Sequence, residues 1–152
     1  MQPRIEYATV ALGAIKAMYG LERYLSECGL EPSLRELVKI RASQINGCAY
    51  CIDMHTKEAR MRGESEQRIY ALVAWRETPF FTDRERAALE WTDALTLIAD
   101  THVPDEVYER VRPHFTDEEL VNLSLAVTTI NAWNRLVIGF RTVPGTYKPA
   151  RP

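Results

Sequence analysis

Residues 46–55 read NGCAYCIDMH, and this stretch decides how the chain turns around two of its three cysteines, Cys48 and Cys51. The Asn46-Gly47 pair is a helix breaker, because glycine readily adopts the left-handed conformation that ends many helices. We therefore expect one helix to end at this pair and the next helix to begin near Cys48. If these two helices pack against each other, they run antiparallel.

On both sides of the break, apolar residues recur at steps of three and four, which is the spacing of helices. No window of the sequence alternates as a strand does. Before the break, the spacing predicts a first helix that ends near Gly29 and a second that begins near Ser33. The first helix carries this apolar stripe: Tyr7, Ala11, Ala14, Met18, Leu21 and Leu25. The sequence thus predicts an all-α fold, a bundle of about six or seven helices.

After the break, the third helix should end at Gly63. Two capping boxes follow, Thr82 with Glu85 and Thr116 with Glu119, in which hydroxyl and carboxylate satisfy free N–H groups of a first turn. Each box predicts the start of a long helix. The fourth helix and the first capped helix carry these apolar residues: Ile69, Leu72, Val73 and Trp75 in one, and Ala88, Trp91, Leu95 and Ile98 in the other.

The last predicted helix runs to about Phe140 and is apolar around most of its circumference. A helix with one solvated face would not show this pattern, so it lies either at the centre of the core or in a subunit interface. Three polar side chains interrupt the apolar surface, Asn131, Asn134 and Arg135. We expect them to form hydrogen bonds with groups of the core or the interface.

The length of 152 residues and the hydrophobic content of 46% are those of one globular domain. We expect a single domain, 1–152, with a core at about 33–141. Residues 142–152 contain too much proline and glycine to be regular, so they should form an irregular C-terminal segment.

Charge and cysteine content limit the partners and the compartment. The net charge is −2, and Lys and Arg are mixed with Asp and Glu, so we expect no nucleic-acid partner. No apolar run approaches the ~18 residues of a membrane helix, so we expect no membrane span. Three cysteines are an odd and low count for a disulfide-stapled secreted domain, which favours a cytoplasmic location.

Cys48, Cys51 and His55 lie on one face of the predicted third helix, because three to four residues make a turn. A c-type haem needs its histidine directly after the second cysteine, where this sequence has Ile52. A structural zinc site would need a fourth ligand, and no second cysteine or histidine pair exists. A redox dithiol fits, since Cα atoms one turn apart are within reach of a disulfide. Two buried, unreactive cysteines beside a core histidine stay an alternative.

The position of these side chains favours proton transfer. The first turn of a helix stabilises a thiolate at Cys48 and, to a lesser degree, at Cys51. His55, one turn beyond Cys51, can accept a thiol proton. Glu36 lies twelve residues before Cys48, and antiparallel packing of the two helices would bring it beside His55. A partly buried Glu-His-Cys chain could then relay a proton.

The pattern E-x11-C-x-x-C-x3-H, which begins at Glu36, resembles the signature of alkyl hydroperoxidase D-like proteins of the carboxymuconolactone decarboxylase superfamily. The resemblance covers roughly residues 33–141. It implies all-helical homo-oligomers, trimers or hexamers, that reduce hydroperoxides without a cofactor or metal. It also implies that Cys51 attacks the peroxide and that Cys48 closes a disulfide with it. Glu36 and His55 would form the proton relay.

One position departs from part of the family: some members have a histidine between the cysteines, where this chain has Tyr50. A phenol is a poor base near neutral pH, so the relay should be shorter or slower. We expect Cys28 to stay a free thiol. Because Cys48 is nearer the helix end, we expect it to be the more accessible sulfur and the target of the reductant.

The resemblance also implies the partners, a hydroperoxide and an external dithiol such as a lipoylated protein. The lactone decarboxylases of the superfamily lack the cysteine pair, so its presence points away from their activity. A redox-sensing or partner-docking protein with little turnover is the alternative in another functional class.

Overall fold

The computed structural model describes residues 1–149, which form nine α-helices and two short 3-10 helices. The α-helices are α1 (Tyr7–Val10), α2 (Leu12–Glu27), α3 (Pro32–Asn46), α4 (Ala49–Met61), α5 (Glu66–Ala71), α6 (Asp83–Thr96), α7 (Ile98–Thr101), α8 (Asp105–Val111) and α9 (Asp117–Phe140). The 3-10 helices are Leu72–Glu77 and Arg112–His114. Residues 1–149 contain no strand, so the all-α prediction is confirmed. The predicted helix count is too low because the first predicted helix is divided into α1 and α2, and because the short α7 follows α6 as a separate helix.

The break before the cysteines is a left-handed cap. Gly47 has a φ of 69°, in the region that a side chain disfavours, and it ends α3. The N–H of Gly47 donates to the carbonyl of Gln44 at 3.3 Å, and the N–H of Cys48 donates to that of Ser43 at 2.9 Å. These two bonds form a Schellman motif, which satisfies carbonyl groups at the end of α3. The chain then turns back, and α4 packs against α3.

Helix α9 lies at the centre of the fold, where it packs against α2, α3, α4 and α6. Leu123, Val127 and Ile130 are fully enclosed among these helices. Of the two predicted places for this helix, the core is therefore the observed one. Although α9 has 24 residues, no helix in the described part of the chain is both long and apolar enough to cross a membrane.

Buried amides of α9 hold the end of α3 in place. Asn46 donates through Nδ2 to Asn131 Oδ1 at 3.0 Å and to Asn134 Oδ1 at 2.8 Å. Asn134 in turn donates to Ser43 Oγ at 3.1 Å, and Arg135 donates to the carbonyl of Asn131 at 2.8 Å. The predicted hydrogen bonds to core groups are thus present. They fix the turn that precedes Cys48.

Both predicted capping boxes are formed. Thr82 Oγ1 accepts the N–H of Glu85 at 3.2 Å, and Glu85 Oε2 accepts the N–H of Thr82 at 2.8 Å. Thr116 and Glu119 repeat this arrangement with the same two distances, 3.2 and 2.8 Å. The boxes open α6 and α9, as the sequence predicts.

The first predicted helix is divided at Ala11 into α1 and α2. Leu25 is buried as its stripe predicts, but Ala11, Ala14 and Leu21 are exposed. Ile15, which lies outside the predicted stripe, is buried instead. The stripe is therefore wrong for half of its members. Apolar residues occur on more than one face of α2, so their spacing could not decide which face packs inward.

Two other predicted stripes are interrupted by bends. The fourth helix becomes a 3-10 helix after Ala71, with Ala74 outside the helical region, and Val73 is exposed. Helix α6 ends at Thr96, so Ile98 falls in the short α7 and is also exposed. Apolar spacing continues across both bends, and it does not reveal a change in helix direction.

Candidate active site

The two cysteines of the opening stretch form a disulfide at the start of α4. Cys48 is the N-cap residue of this helix, and its sulfur accepts the N–H of Cys51 at 3.4 Å. The Cα atoms of the pair are 5.3 Å apart. Cys28, the third cysteine, is a half-buried free thiol, as expected. Because the Cys48 sulfur receives a helix N–H, a negative charge on this sulfur would be stabilised.

The accessibility expected for the two sulfurs is wrong. Cys48 is 0% exposed and Cys51 is 2% exposed, and it is Cys51 that lines a cavity of about 360 Å³. Cys48 is covered because the Schellman turn and α9 enclose the start of α4, with Ala42, Ile130 and Val137 in the same cluster. A position near a helix end does not give access when the end itself is packed into the core.

Glu36 and His55 are in contact, as antiparallel packing of α3 and α4 predicts. His55 Nδ1 lies 2.9 Å from Glu36 Oε2, and both side chains are buried. Burial by itself would raise the pKa of Glu36. The hydrogen bond and charge of His55 act in the opposite direction, assisted by Lys39 and Arg62, and leave the pKa of Glu36 below its ordinary value. Glu36 is therefore a carboxylate at neutral pH.

The cavity beside the cysteine pair has largely apolar walls. Cys51 and His55 line it from α4, and helices α1, α2, α3 and α9 and the C-terminal segment supply the other walls. Its apolar lining consists of Met54, Ile130, Trp133 and Val137. Its phenols are Tyr7, Tyr19, Tyr50 and Tyr147. These walls combine apolar surface with groups that can donate hydrogen bonds, which is typical of sites for small molecules.

Tyr50, one of the two residues between the cysteines, lines this cavity. Burial raises the pKa of Tyr50, and the neighbouring Tyr7, Tyr19 and Asp53 add to the shift. The phenol is therefore protonated at neutral pH. It can orient a ligand oxygen, but it cannot accept the proton of a thiol as a histidine would.

The C-terminal segment forms one wall of the cavity. Its described part, 142–149, is irregular as predicted, and residues 150–152 of the predicted segment lie outside the described residues. The N–H of Gly145 donates to Asp53 Oδ2 at 3.1 Å, and Lys57 Nζ donates to the carbonyl of Tyr147 at 3.1 Å. The Tyr147 hydroxyl donates to Glu58. Burial and this bond to Glu58 raise the pKa of Tyr147 to about 12.

Sequence reasoning missed a charged pair in the same cavity, Glu22 and Lys39. Lys39 Nζ lies 2.7 Å from Glu22 Oε2, and Trp133 Nε1 donates to Glu22 Oε1 at 3.1 Å. The sequence could have indicated Lys39 as a site residue, because it lies one turn beyond Glu36 on α3. Nothing in the sequence places Glu22 or Trp133 near the site, because they come from helices distant in sequence. Tyr147 was missed for the same reason.

The described residues offer no cluster of metal ligands. No group of three or more His, Cys, Asp or Glu side chains within 1–149 is arranged to hold an ion. Cys48 and Cys51 are joined to each other, and the Nδ1 of His55 is engaged by Glu36. In this disulfide form, the two sulfurs are joined to each other rather than placed as separate ligands.

Comparison with known proteins identifies the family. The carboxymuconolactone decarboxylase family profile matches residues 11–94. The uncharacterized protein YdfG of Bacillus subtilis (strain 168) is 49% identical over 138 residues, which are 91% of this chain and 94% of that protein. The chain belongs to the carboxymuconolactone decarboxylase family. The resemblance inferred from the Glu-Cys-Cys-His pattern is therefore confirmed.

Two solved structures have a fold similar to that of this chain. An Agrobacterium tumefaciens protein of unknown function, suggested to be the antioxidant defence protein AhpD, superimposes with a TM-score of 0.93. It is 48% identical, and the match covers 96% of this chain and 100% of that one. An uncharacterized peroxidase-related protein from Silicibacter sp. TM1040 has a TM-score of 0.79 at 24% identity, over 89% of this chain and 72% of that one. The latter shows a shared fold alone. This member of the family is thus alkyl hydroperoxidase D-like.

Proposed function

We propose that this chain reduces organic hydroperoxides with the Cys48–Cys51 dithiol and is reduced again by an external dithiol. The observation that carries the proposal is the buried contact between Glu36 and His55, one helical turn from Cys51. A carboxylate that accepts the Nδ1–H of a histidine leaves Nε2 of the ring available for a thiol proton. The chemistry of a thiol peroxidase needs this proton transfer beside the attacking sulfur.

The proposed cycle begins with the reduced pair. The Cys51 thiolate attacks the terminal oxygen of the hydroperoxide, and the O–O bond breaks. Cys51 becomes a sulfenic acid, and the departing alkoxide takes a proton to become an alcohol. The Cys48 thiol then attacks the Cys51 sulfur and releases water, which forms the disulfide. The external dithiol reduces this disulfide by exchange and is itself oxidised, so the cycle needs no cofactor.

Glu36 and His55 act together in this cycle. His55 takes the proton of Cys51 and returns it to the alkoxide. The Glu36 carboxylate, whose pKa is lowered, stabilises the imidazolium that exists between these two transfers. Tyr50 donates a hydrogen bond and takes no part in the proton relay. A family member with a histidine at this position would have one more base.

We also propose that the chain assembles as a homo-oligomer, a trimer or hexamer, in the cytoplasm. Apolar side chains are exposed on α1, α2 and α9, with Val10 at 74% and Val121 at 68%. Such surfaces are typical of contacts between subunits. Light scattering at micromolar concentration should report a mass above that of the single chain. A monomer would contradict this assignment.

The central test is steady-state reduction of tert-butyl hydroperoxide by the purified protein, with dithiothreitol or dihydrolipoamide as donor. Peroxide and dithiol should disappear in equal amounts over many turnovers. Cys28→Ser should retain this activity, because Cys28 takes no part in the pair. One oxidation per chain without further turnover would instead favour a redox sensor. No oxidation at all would contradict the proposal.

A further inference from the structure

The cavity contains a buried ammonium group that the proposed cycle does not use. Lys39 is only 6% exposed, although lysine is rarely buried without a functional or structural reason. Its Nζ is held by Glu22 Oε2 at 2.7 Å, while the second oxygen of Glu22 accepts Trp133 Nε1. Both oxygens of Glu22 thus have a donor, and the carboxylate is fixed between α3 and α9.

Lys39 retains unused hydrogen-bond donors. An ammonium has three N–H groups, and within residues 1–149 the only acceptor that Lys39 contacts is Glu22. Lys39 lines the same cavity as Cys51 and His55, so the remaining N–H groups can reach a bound ligand.

The antiparallel helices place Lys39 at the level of Cys51. Glu36 on α3 meets His55 on α4. One turn forward on α3 is Lys39, and one turn back on α4 is Cys51, so both lie about 5 Å further along the shared axis. A ligand that presents an oxygen to the Cys51 sulfur therefore presents its adjacent atoms near the Lys39 ammonium.

We propose that Lys39 is a further catalytic residue, which donates a hydrogen bond to the oxygen that leaves when Cys51 cleaves a hydroperoxide. This inference rests on the proposed function. When the Cys51–O bond forms and the O–O bond breaks, the electron pair of the O–O bond goes to the distal oxygen. Lys39 stabilises the resulting alkoxide until His55 returns the proton taken from Cys51. The products are the sulfenic acid and a neutral alcohol.

The charge of Glu22 decides which substrates fit this arrangement. Glu22 and Lys39 together carry no net charge, so the pair does not attract an anion into the cavity. A neutral hydroperoxide suits it better, because negative charge then appears only as the O–O bond breaks. The apolar walls, which include Met54, Ile130 and Val137, favour an organic group over hydrogen peroxide.

The test compares oxidants whose leaving groups differ in basicity. Reduced Lys39→Met protein is mixed with cumene hydroperoxide, which releases an alkoxide, or with peracetic acid, which releases the weakly basic acetate. Single-turnover oxidation of Cys51 is measured by sulfenic-acid trapping in a Cys48→Ser background. Lys16→Met, on the exposed surface of α2, is the matched control. Alkylation of Cys51 by iodoacetamide, which releases iodide, reports the reactivity of the thiolate alone.

We expect Lys39→Met to slow the oxidation of Cys51 by cumene hydroperoxide about 10²-fold, as for loss of an oxyanion donor. Oxidation by peracetic acid should slow by no more than about 3-fold. Alkylation should be unchanged. Lys39→Gln, which keeps a neutral donor, should give an intermediate loss, and it carries the test if the methionine variant does not fold. The control should match the parent in all three reactions.

Three results would overturn the inference. Equal slowing of both oxidants and of alkylation would mean that Lys39 acts on the thiolate. Unchanged rates in both Lys39 variants would mean that it has no role in the chemistry. If the parent protein reacts with iodoacetamide but with neither oxidant, the proposed function itself fails, and the assignment of Lys39 fails with it.

Discussion

Two buried carboxylates, Asp93 and Glu36, show two uses of buried charge in this molecule. Their exposure is nearly equal, 8% for Asp93 and 9% for Glu36. Asp93 on α6 accepts two bonds from Arg41, at 2.6 and 3.1 Å, and one from Trp75 Nε1 at 3.3 Å. Arg76 adds a further ion pair. Glu36 has one hydrogen-bond partner among the described side chains, His55 at 2.9 Å.

The difference lies in what the partners can do. An arginine cannot give up its proton in proteins, so the ion pairs of Asp93 serve to join α3, α6 and the intervening 3-10 helix. A histidine ring can both donate and accept a proton, so the contact between Glu36 and His55 suits the proposed proton transfer. Burial alone therefore does not distinguish the two carboxylates. The chemistry of their partners does.

The largest effect is expected at Cys51, the sulfur that Glu36 and His55 are proposed to assist. Cys51→Ser should abolish the first oxidation by peroxide, because the proposed attacking sulfur is gone. Cys48→Ser should still form a sulfenic acid at Cys51 but should not turn over, since no disulfide can close. Mass spectrometry after dimedone trapping distinguishes the two variants. If Cys48→Ser loses the first oxidation and Cys51→Ser keeps it, the assignment of the sulfurs is reversed.

The two carboxylates should respond in opposite ways to loss of their charge. Glu36→Gln and His55→Gln should each slow peroxide reduction by about 10²-fold, the scale for losing a general acid-base group. The fold should remain intact. Asp93→Asn should leave the rate of the folded protein unchanged but lower the free energy of unfolding by about 2 to 4 kcal/mol, because Arg41 loses its buried partner.

Stopped-flow rates and urea denaturation of the same three proteins test this contrast. Circular dichroism is the control for folding at the assay temperature. An unchanged rate of peroxide reduction in Glu36→Gln would show that the buried contact with His55 has no part in the reaction. A slow but fully stable Asp93→Asn would mean that the two carboxylates do not differ as described.

A smaller effect is expected on acid stability. Because the pKa of Glu36 is lowered in the folded chain, its ionised form favours the folded state. This contribution is fully present above the ordinary value of 4.5 and is lost as the pH falls through the lower folded value. The stability advantage of the wild type over Glu36→Gln, measured by urea denaturation at a series of pH values, should therefore decrease as the pH falls below the ordinary value of 4.5. A constant difference would contradict the lowered pKa.

The smallest effect is expected for Tyr50→Phe. Its phenol is protonated and can donate one hydrogen bond to a ligand, so its loss should slow peroxide reduction by only about 2- to 10-fold. The pH dependence of the rate should keep its shape. A rate that loses its dependence on pH in this variant would instead place Tyr50 in the relay.

The contact between Glu36 and His55 could be predicted because it depends on local features. Gly47 marks the break, and the counts of residues from that break to Glu36 and to His55 are similar, so antiparallel packing brings the two together. Both capping boxes could be found for the same reason, since Thr82 and Thr116 each act within a single turn. In each case, the residues that determine the contact are close in sequence.

The rest of the cavity could not be predicted because it depends on packing between distant helices. Glu22 meets Lys39 across α2 and α3, and Trp133 joins them from α9. Tyr147 reaches the site through a segment with no regular structure. The burial of Cys48 has the same origin, since its cover comes from α9. No spacing rule connects such positions.

The burial of Cys48 fixes the order of events in the proposed cycle. A reductant that reaches the disulfide through the cavity attacks Cys51. Cys48 is then the departing sulfur, and the hydrogen bond from the N–H of Cys51 stabilises its negative charge. Peroxide and reductant thus enter through the same cavity and cannot occupy it at the same time. The two half-reactions must alternate, with the first product gone before the second substrate arrives. Double-reciprocal plots of the rate against peroxide concentration, at several fixed reductant concentrations, should accordingly give parallel lines. A large excess of reductant should inhibit by competing with peroxide for the cavity.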